Sequence, residues 1–284
     1  MNWIPSEAGP LVTHHGSIEK NLENPDKISD HYLDVFDTIF NSLDIDEAIC
    51  TFSLDSENVL FSTCFIERNN SEMLDWHLNQ ATDAKLKKIV EYYHYNFTSE
   101  SQQILNIAVP KTIRVSFKKN MHILKSKLNG ISIGIFSAEV GARQWMHADK
   151  LQSYLIWKIG KKKIDQFLYI KNGELVSYFS YHRSPSGGSL NWCFGDYKST
   201  QFIIDDIKKV QEKKRKIFKS SEQVYVYTSD GSSRDVKSFY GMDIKNLTLL
   251  NPLNILSSTS NKKNNEFNSL ALAETGNSFE GIDV

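Results

Sequence analysis

The stretch "SYLIWKIGKKKIDQFLYIKNGELVSYFSY", Ser153 to Tyr181, restricts the fold more than any other part of the chain. Three runs rich in aliphatic and aromatic residues are separated by turn signals, Gly160 at the first junction and Asn172-Gly173 at the second. That pattern predicts a three-stranded antiparallel meander. Its first turn is unusual: Lys158, Lys161, Lys162 and Lys163 surround Gly160 at the end of an apolar strand. A glycine hairpin entered from such a strand is where several nucleotide-binding folds hold a phosphate. The residues alone leave three readings open: a phosphate site, a site that has lost its chemistry, or a basic hairpin tip.

The chain has 284 residues, enough for one large domain or two lobes with ample core. At 40% hydrophobic and 24% charged, with a formal net charge of −1, it does not have the balance of a nucleic-acid-coating protein or a disordered tail. Cys50, Cys64 and Cys193 lack CxxC spacing, which suits a reducing compartment better than a disulfide framework. "MNWIPSEAGPLVTHHGS" has no apolar core of a signal peptide, and no apolar run approaches the ~20 residues that span a bilayer. The expectation is a cytoplasmic protein.

Along the chain, "NWIP" and "PLVTHH" read as a short hairpin, and "NPDKISDHYLDVFDTIFNSL" as an amphipathic helix with Asn24 as N-cap and Pro25 in its first turn. A hairpin follows in "EAICTFSLDSENVLFSTCFI", then a helix capped by Ser71, strands in "KKIVEYYHYNF" and "SQQILNIAVP", and a helix marked by Ile113, Phe117, Leu124 and Leu128. "GISIGIFS" reads as a strand and "SAEVGARQWM" as a helix. After the meander come a helix over "QFIIDDIKKVQEKKRKIF", a buried strand "EQVYVY" entering the turn "TSDGSS", a helix in "SRDVKSFYG" and a short last helix in "SLALAETG". Mixed elements in two halves imply an α/β protein of two lobes.

Signals of covalent or metal chemistry are poor. His14 and His15 are adjacent on a strand, so their side chains point to opposite faces and cannot share a metal. His147 and Asp149 have no fixed partner, and GxSxG, Walker A and HExxH strings are absent. The seven bases between Lys208 and Lys219 share a predicted helix with an apolar side, so a solvated face explains them, with weak anionic-lipid contact as the alternative. Ser229, Asp230, Gly231, Ser232 and Ser233 make a strand-to-turn-to-helix corner. It reads either as a nucleotide seat of backbone N–H groups or as a plain helix cap.

The order of these pieces carries a resemblance. Ile156 to Ile170 resembles the hairpin that opens the second lobe in the actin, heat-shock chaperone and sugar-kinase superfamily. Val224 to Ser233 resembles its later strand, whose glycine turn contacts the adenosine. The front half is similar to the PilM-type, FtsA-like branch, the actin-like components of type IV pilus and related secretion machines. There "DEAICTFSLDSENVLFSTCFI", "NSEMLDWHLNQA" and the run from Gln102 to Ala142 follow the branch's order, as do "LTLLNPLNI" and "LALAETG" at the end.

The resemblance implies an actin-like, ribonuclease-H-like α/β fold with a small inserted subdomain in the first lobe. The first lobe would cover 1–147 and the second 148–284. It implies ATP in the cleft between lobes, and a groove in the first lobe that takes a short cytoplasmic tail of an inner-membrane pilus or secretion protein. Two departures qualify this. Lys158 stands where the family holds the carboxylate that organises magnesium, and Lys161 replaces a small residue after Gly160. The family's opening phosphate strand has no counterpart before "MNWIPSEAG"; either Met1 is not the true start or that strand is lost, which would leave a sheet edge uncovered. The expectation is a degenerate phosphate hairpin at Lys158, Gly160 and Lys161, a better preserved adenosine turn at Ser229 to Ser233, doubtful magnesium binding, no catalytic residue and no nucleic-acid partner. The protein would be a non-catalytic or weakly nucleotide-binding scaffold at the inner membrane. A small-molecule kinase or a membrane-associated polymerising protein of the same superfamily are the alternatives.

Overall fold

In a computed structural model, residues 1–7, 9–15, 28–43, 45, 47–65, 92–98, 103–160, 163–184, 188–229, 233–258 and 269–279 are described. The first half comprises β1 (Asn2–Ile4), β2 (Leu11–His14), α1 (Ile28–Leu43), β3 (Ile49–Leu54), β4 (Leu60–Phe65), β5 (Tyr92–Thr98), β6 (Gln103–Pro110), α2 (Lys111–Ile123), β7 (Lys127–Ile133) and α3 (Gly134–Met146). The second comprises β8 (Ser153–Lys158), β9 (Ile164–Lys171), β10 (Glu174–His182), β11 (Ser189–Gly195), α4 (Tyr197–Gln211), β12 (Gln223–Tyr227), α5 (Ser233–Tyr240), β13 (Leu247–Leu249) and β14 (Ser257–Ser258), then a 3₁₀ helix, Leu270–Phe279.

The meander forms as β8, β9 and β10, inside a six-stranded sheet ordered β11-β10-β9-β8-β12-β13. β8 pairs antiparallel with β9 and parallel with β12, so it is central, and residues 154–157 are buried on both faces. This is why its sequence is continuously apolar rather than alternating. Trp157 stacks on Phe167 and Phe167 on Phe179, with ring centroids 5.3 and 4.9 Å apart, and Phe218 and Phe239 meet Trp157 edge-on. α4 covers the sheet with Ile203, Ile204, Ile207 and Val210. Asp196 caps its start, accepting from the Lys198 and Ser199 amides.

The first half carries its strands in three smaller sheets, β1-β2-β14, β3-β7 and β4-β6-β5. Phe52, Phe36, Phe117 and Tyr32 form one aromatic cluster beneath β3 and α2. The C-terminal segment comes back to this half: β14 pairs parallel with β2, and the 3₁₀ helix packs on α3 and β3. That helix also bridges two of the sheets. Trp3 of β1 stacks on Phe279 at 4.7 Å and donates to Ser278, while Asn277 Nδ2 donates to the main-chain oxygen of Phe52 on β3 at 3.1 Å.

Several sequence expectations shift. The strand expected over "GISIGIFS" ends at Ile133, and Gly134 already begins α3. The helix expected to include Leu124 and Leu128 stops at Ile123, where Lys125 turns left-handed (φ 52°) and Leu128 joins β7. The seven-base helix stops at Gln211, with Lys213 left-handed (φ 57°), and Arg215 folds back onto buried Asp206. β11 was not anticipated at all. The caps expected at Asn24 and Ser71 lie outside the described residues.

α3 and the C-terminal 3₁₀ helix cross at Gly141 and Gly276, where a Cβ on Gly276 would collide with the Ser137 carbonyl and the Gly141 backbone. Gly276→Ala is therefore expected to cost about 2 kcal/mol through forced separation of the two helices, read as a lower urea midpoint. Gly130→Ala, with no atom within 4 Å of its added methyl group, is the neutral control.

Candidate functional site

Lys158 is the last residue of β8, and its ammonium lies between the six-stranded sheet and the elements packed on β3. It is only 3% exposed. Nζ lies 2.9 Å from Glu274 Oε1 and 3.2 Å from Asp55 Oδ2. Asp55 follows β3, and Glu274 belongs to the C-terminal 3₁₀ helix, so one lysine of the six-stranded lobe holds two carboxylates from elements packed on the other. Tyr227, at the end of β12, donates its hydroxyl to the same Glu274 oxygen at 3.1 Å. The Glu274 carboxylate lies against Gly134, the first residue of α3, in space that a Cβ there would fill. Its charge thus sits at the positive end of that helix.

Burial opposes the charge on Lys158, but Glu274 and then Asp55 outweigh it and hold the lysine above its ordinary pKa. Burial, followed by the Glu274 charge, pushes the Tyr227 hydroxyl well up, so it stays a neutral donor. Neighbouring contacts also join the first and second halves of the chain. Gln166 Nε2 donates to Ser56 Oγ at 2.5 Å, and Tyr178 donates to Gln166 at 3.0 Å. Phe61 stacks on Trp192 at 5.4 Å and meets Tyr178 edge-on at 5.5 Å, while the Gly195 amide donates to Gln103 at 2.7 Å.

The glycine hairpin is held from below. Buried Asp165 accepts from the Trp157 indole at 2.9 Å and from the Gly160 amide at 3.2 Å, and pairs with Arg183 at 2.7 Å. Arg183 reaches Asp235 of α5 at 2.9 Å. Burial raises the Asp165 carboxyl, to about 6, against the pull of Arg183 and the N–H donors. Gly160 is therefore a buried turn tied to its own sheet. Lys161, Asp230, Gly231 and Ser232 lie outside the described residues, so only Lys158 and Gly160 of the expected hairpin, and Ser229 with the start of α5 at Ser233, are placed.

These residues do not fit a magnesium-nucleotide. The position expected to carry a metal-organising carboxylate carries an ammonium, and the two carboxylates beside it are already paired with that ammonium. Among the described residues no group of three or more His, Cys, Asp or Glu side chains could hold a metal ion. Asp55, Asp165, Arg183 and Glu274 were not singled out from the sequence. Glu274 had a signal: it is the only charged residue in "LALAETGNSF".

A second feature is a groove of about 910 Å³ in the first half, bounded by α2, β7, Phe97 of β5 and Phe136 of α3. Residues 126–133 all line it, so it runs along β7 itself. β7 pairs with β3 and has no second strand partner among the described residues. Arg114, Lys118, His122 and Lys127 stand along the groove, and Val115 on its α2 side is 62% exposed.

No family model matches the chain, and no curated protein matches it. Among solved structures it is similar to one described as the PilM-PilN type IV pilus biogenesis complex, with a TM-score of 0.51 and 12% identity over 97% of this chain and 91% of that one. It also matches the cytoplasmic domain of EpsL, an inner membrane component of the type II secretion system of Vibrio cholerae, at TM-score 0.38 and 8% identity, covering 84% and 76% of the two chains. An archaeal actin homolog follows at TM-score 0.32 and 9% identity, covering 89% and 77%. The first likeness shows the fold: the chain is a two-lobed, actin-like α/β protein.

Two outcomes follow from the charges. Asp165→Ala strands the Trp157 and Gly160 N–H groups and half of the Arg183 pairing, and is expected to cost about 3 kcal/mol in urea unfolding. Lys158 has a folded pKa above its unfolded one, so its stabilisation is complete below the unfolded value of about 10.4 and fades as pH rises through the folded value. The melting-temperature gap between wild type and Lys158→Met should accordingly shrink above about pH 10.

Proposed function

We propose that the chain is a non-catalytic, actin-fold scaffold on the cytoplasmic side of an inner-membrane assembly of the pilus or type II secretion kind. In this reading the groove along β7 receives an extended cytoplasmic segment of a membrane partner. The groove is the observation that carries it. An unpaired strand edge offers main-chain N–H and C=O groups at a strand's spacing, and Phe97, Ile107, Val109, Val115 and Phe136 in the lining can take alternate side chains, which is how sheets accept an added strand. Arg114, Lys118 and Lys127 favour a segment whose apolar centre is flanked by acidic residues. The similar structure being a two-component pilus complex supports the reading. No helix among the described residues is long and apolar enough to cross a membrane.

The Lys158 cluster supports the non-catalytic part. Phosphoryl transfer needs a metal clamp on the phosphates and a positioned nucleophile. The expected seat of that metal is neutralised by the chain's own ammonium. The fine role of the hairpin and of the turn at Ser229 to Ser233 as relics of a nucleotide site belongs to this proposal, as does the division into lobes near Gln144 to Leu151.

Two measurements test it. A photo-crosslinking residue at Val115 should capture, in cells, an inner-membrane protein with a short cytoplasmic tail. A synthetic peptide of that tail should then bind the purified protein, and Val115→Asp should weaken binding at least about tenfold, or 1.4 kcal/mol. Capture of soluble proteins alone, or peptide binding indifferent to Val115→Asp, would sink the docking reading. Separately, millimolar Mg·ATP should leave the melting temperature unchanged. A ligand at a thousand times its Kd would add about 4 kcal/mol, so a clear rise would show that Mg·ATP binds, and phosphate release from ATP by the purified protein would overturn the non-catalytic reading.

A further inference from the structure

The ion cluster ties the end of β8 to the elements packed on β3. On one side is β8, in the six-stranded lobe. On the other are Asp55, which follows β3, and Glu274, whose helix lies on β3 and α3. We propose that the Lys158 ammonium is a built-in cross-lobe clamp, which fixes the two lobes in one relative orientation by charge, with no nucleotide or divalent cation needed.

The geometry has the parts such a clamp requires. The cation is almost wholly out of water, at 3% exposure, and its two partners lie 2.9 and 3.2 Å away. Glu274 is itself oriented: Tyr227 donates to it from β12, the α3 terminus lies behind it, and Ser53 of β3 donates to its main-chain carbonyl. Asp55, with 41% of its side chain exposed, closes the cluster at the rim, where water screens the surplus negative charge. The Gln166–Ser56 bond and the packing of Phe61 on Trp192 and Tyr178 span the same boundary.

A divalent ion bridging two lobes comes and goes with its ligand, whereas an ammonium tethered to β8 is present at a fixed, high effective concentration. The consequence is a protein whose lobe orientation does not cycle. This inference does not depend on what occupies the β7 groove.

Small-angle scattering and limited proteolysis of the full chain, each with and without Mg·ATP, test the clamp. The wild type should keep one radius of gyration under both conditions. Lys158→Met and the double variant Lys158→Met/Glu274→Gln should show a larger radius and at least tenfold faster trypsin cleavage at Lys150, in the crossover between lobes. The double variant removes both buried charges, so it can fold where the single one fails, and its near-ultraviolet circular dichroism shows whether it has. A folded double variant with wild-type radius and wild-type cleavage overturns the clamp, as does a wild type that contracts on adding Mg·ATP. Should the double variant not fold, Asp55→Asn decides by the same readouts: severalfold faster Lys150 cleavage supports the clamp and an unchanged rate overturns it.

Discussion

An ammonium taken out of water must be met by negative charge, and in this chain that requirement ties three distant stretches of sequence together. Lys158 cannot be buried at the end of β8 unless a carboxylate faces it, and among the described residues its own six-stranded sheet supplies neither of the two that do. Asp55 therefore has to arrive from the first half, and Glu274 from the C-terminal helix that packs back on it. Their arrival positions the C-terminal 3₁₀ helix against β3 and the end of β3 against the six-stranded sheet. A buried pair of this kind adds little stability compared with apolar packing. What it adds is definition, because few other arrangements of the two lobes leave the lysine paired.

The C-terminal helix shows how that definition is built locally. Ten residues of 3₁₀ helix is long for that geometry, whose hydrogen bonds are poorer than those of an α-helix. Its stability must come from its surroundings. Gly276 lets its backbone touch that of α3 at Gly141, Asn277 satisfies a β3 carbonyl, Phe279 stacks under Trp3, and Ala273 and Leu270 are fully buried. The helix joins the β1-β2-β14 and β3-β7 sheets, which share no strand among the described residues. Glu274 is its one charged residue, placed on the face turned towards Lys158.

Much of the second lobe was legible from the chain because its information is local. Apolar runs with Gly160 and Asn172-Gly173 between them specify the meander, and "EQVYVY" specifies β12, since a central strand has to be apolar on both faces. β11 was missed because "SLNWCFG" is mixed in polarity, as befits an edge strand. "GISIGIFS" misled because a short apolar run carries no period that separates a strand from the first turn of a helix. At the site, Lys158 stood out as a base in an apolar context, but what it does depended on Asp55, which is 103 residues away. No window of sequence contains that pairing. Asp165 was hidden for a related reason: a single acid in a strand reads as exposed until Arg183 and the Trp157 indole are seen to surround it.

The two notable features of the first half share one piece of structure. β7 lines the groove along its whole length, Lys127 to Ile133, and the next residue is Gly134, against which the Glu274 carboxylate rests. β3, the strand paired to β7 in parallel register, ends one residue before Asp55. Both carboxylates that hold Lys158 are thus at the same end of the ribbon whose free edge forms the groove floor. A two-stranded ribbon is a weak unit alone and takes its shape from what it packs on. Fixing its end against the second lobe therefore also steadies the edge that a partner segment would meet. A rigid edge loses less freedom on accepting a strand than a mobile one. Lys158 and the groove some distance from it are consequently coupled through one ribbon: in the proposed reading, the charge that stands at the expected metal position also steadies the edge that a partner segment would meet.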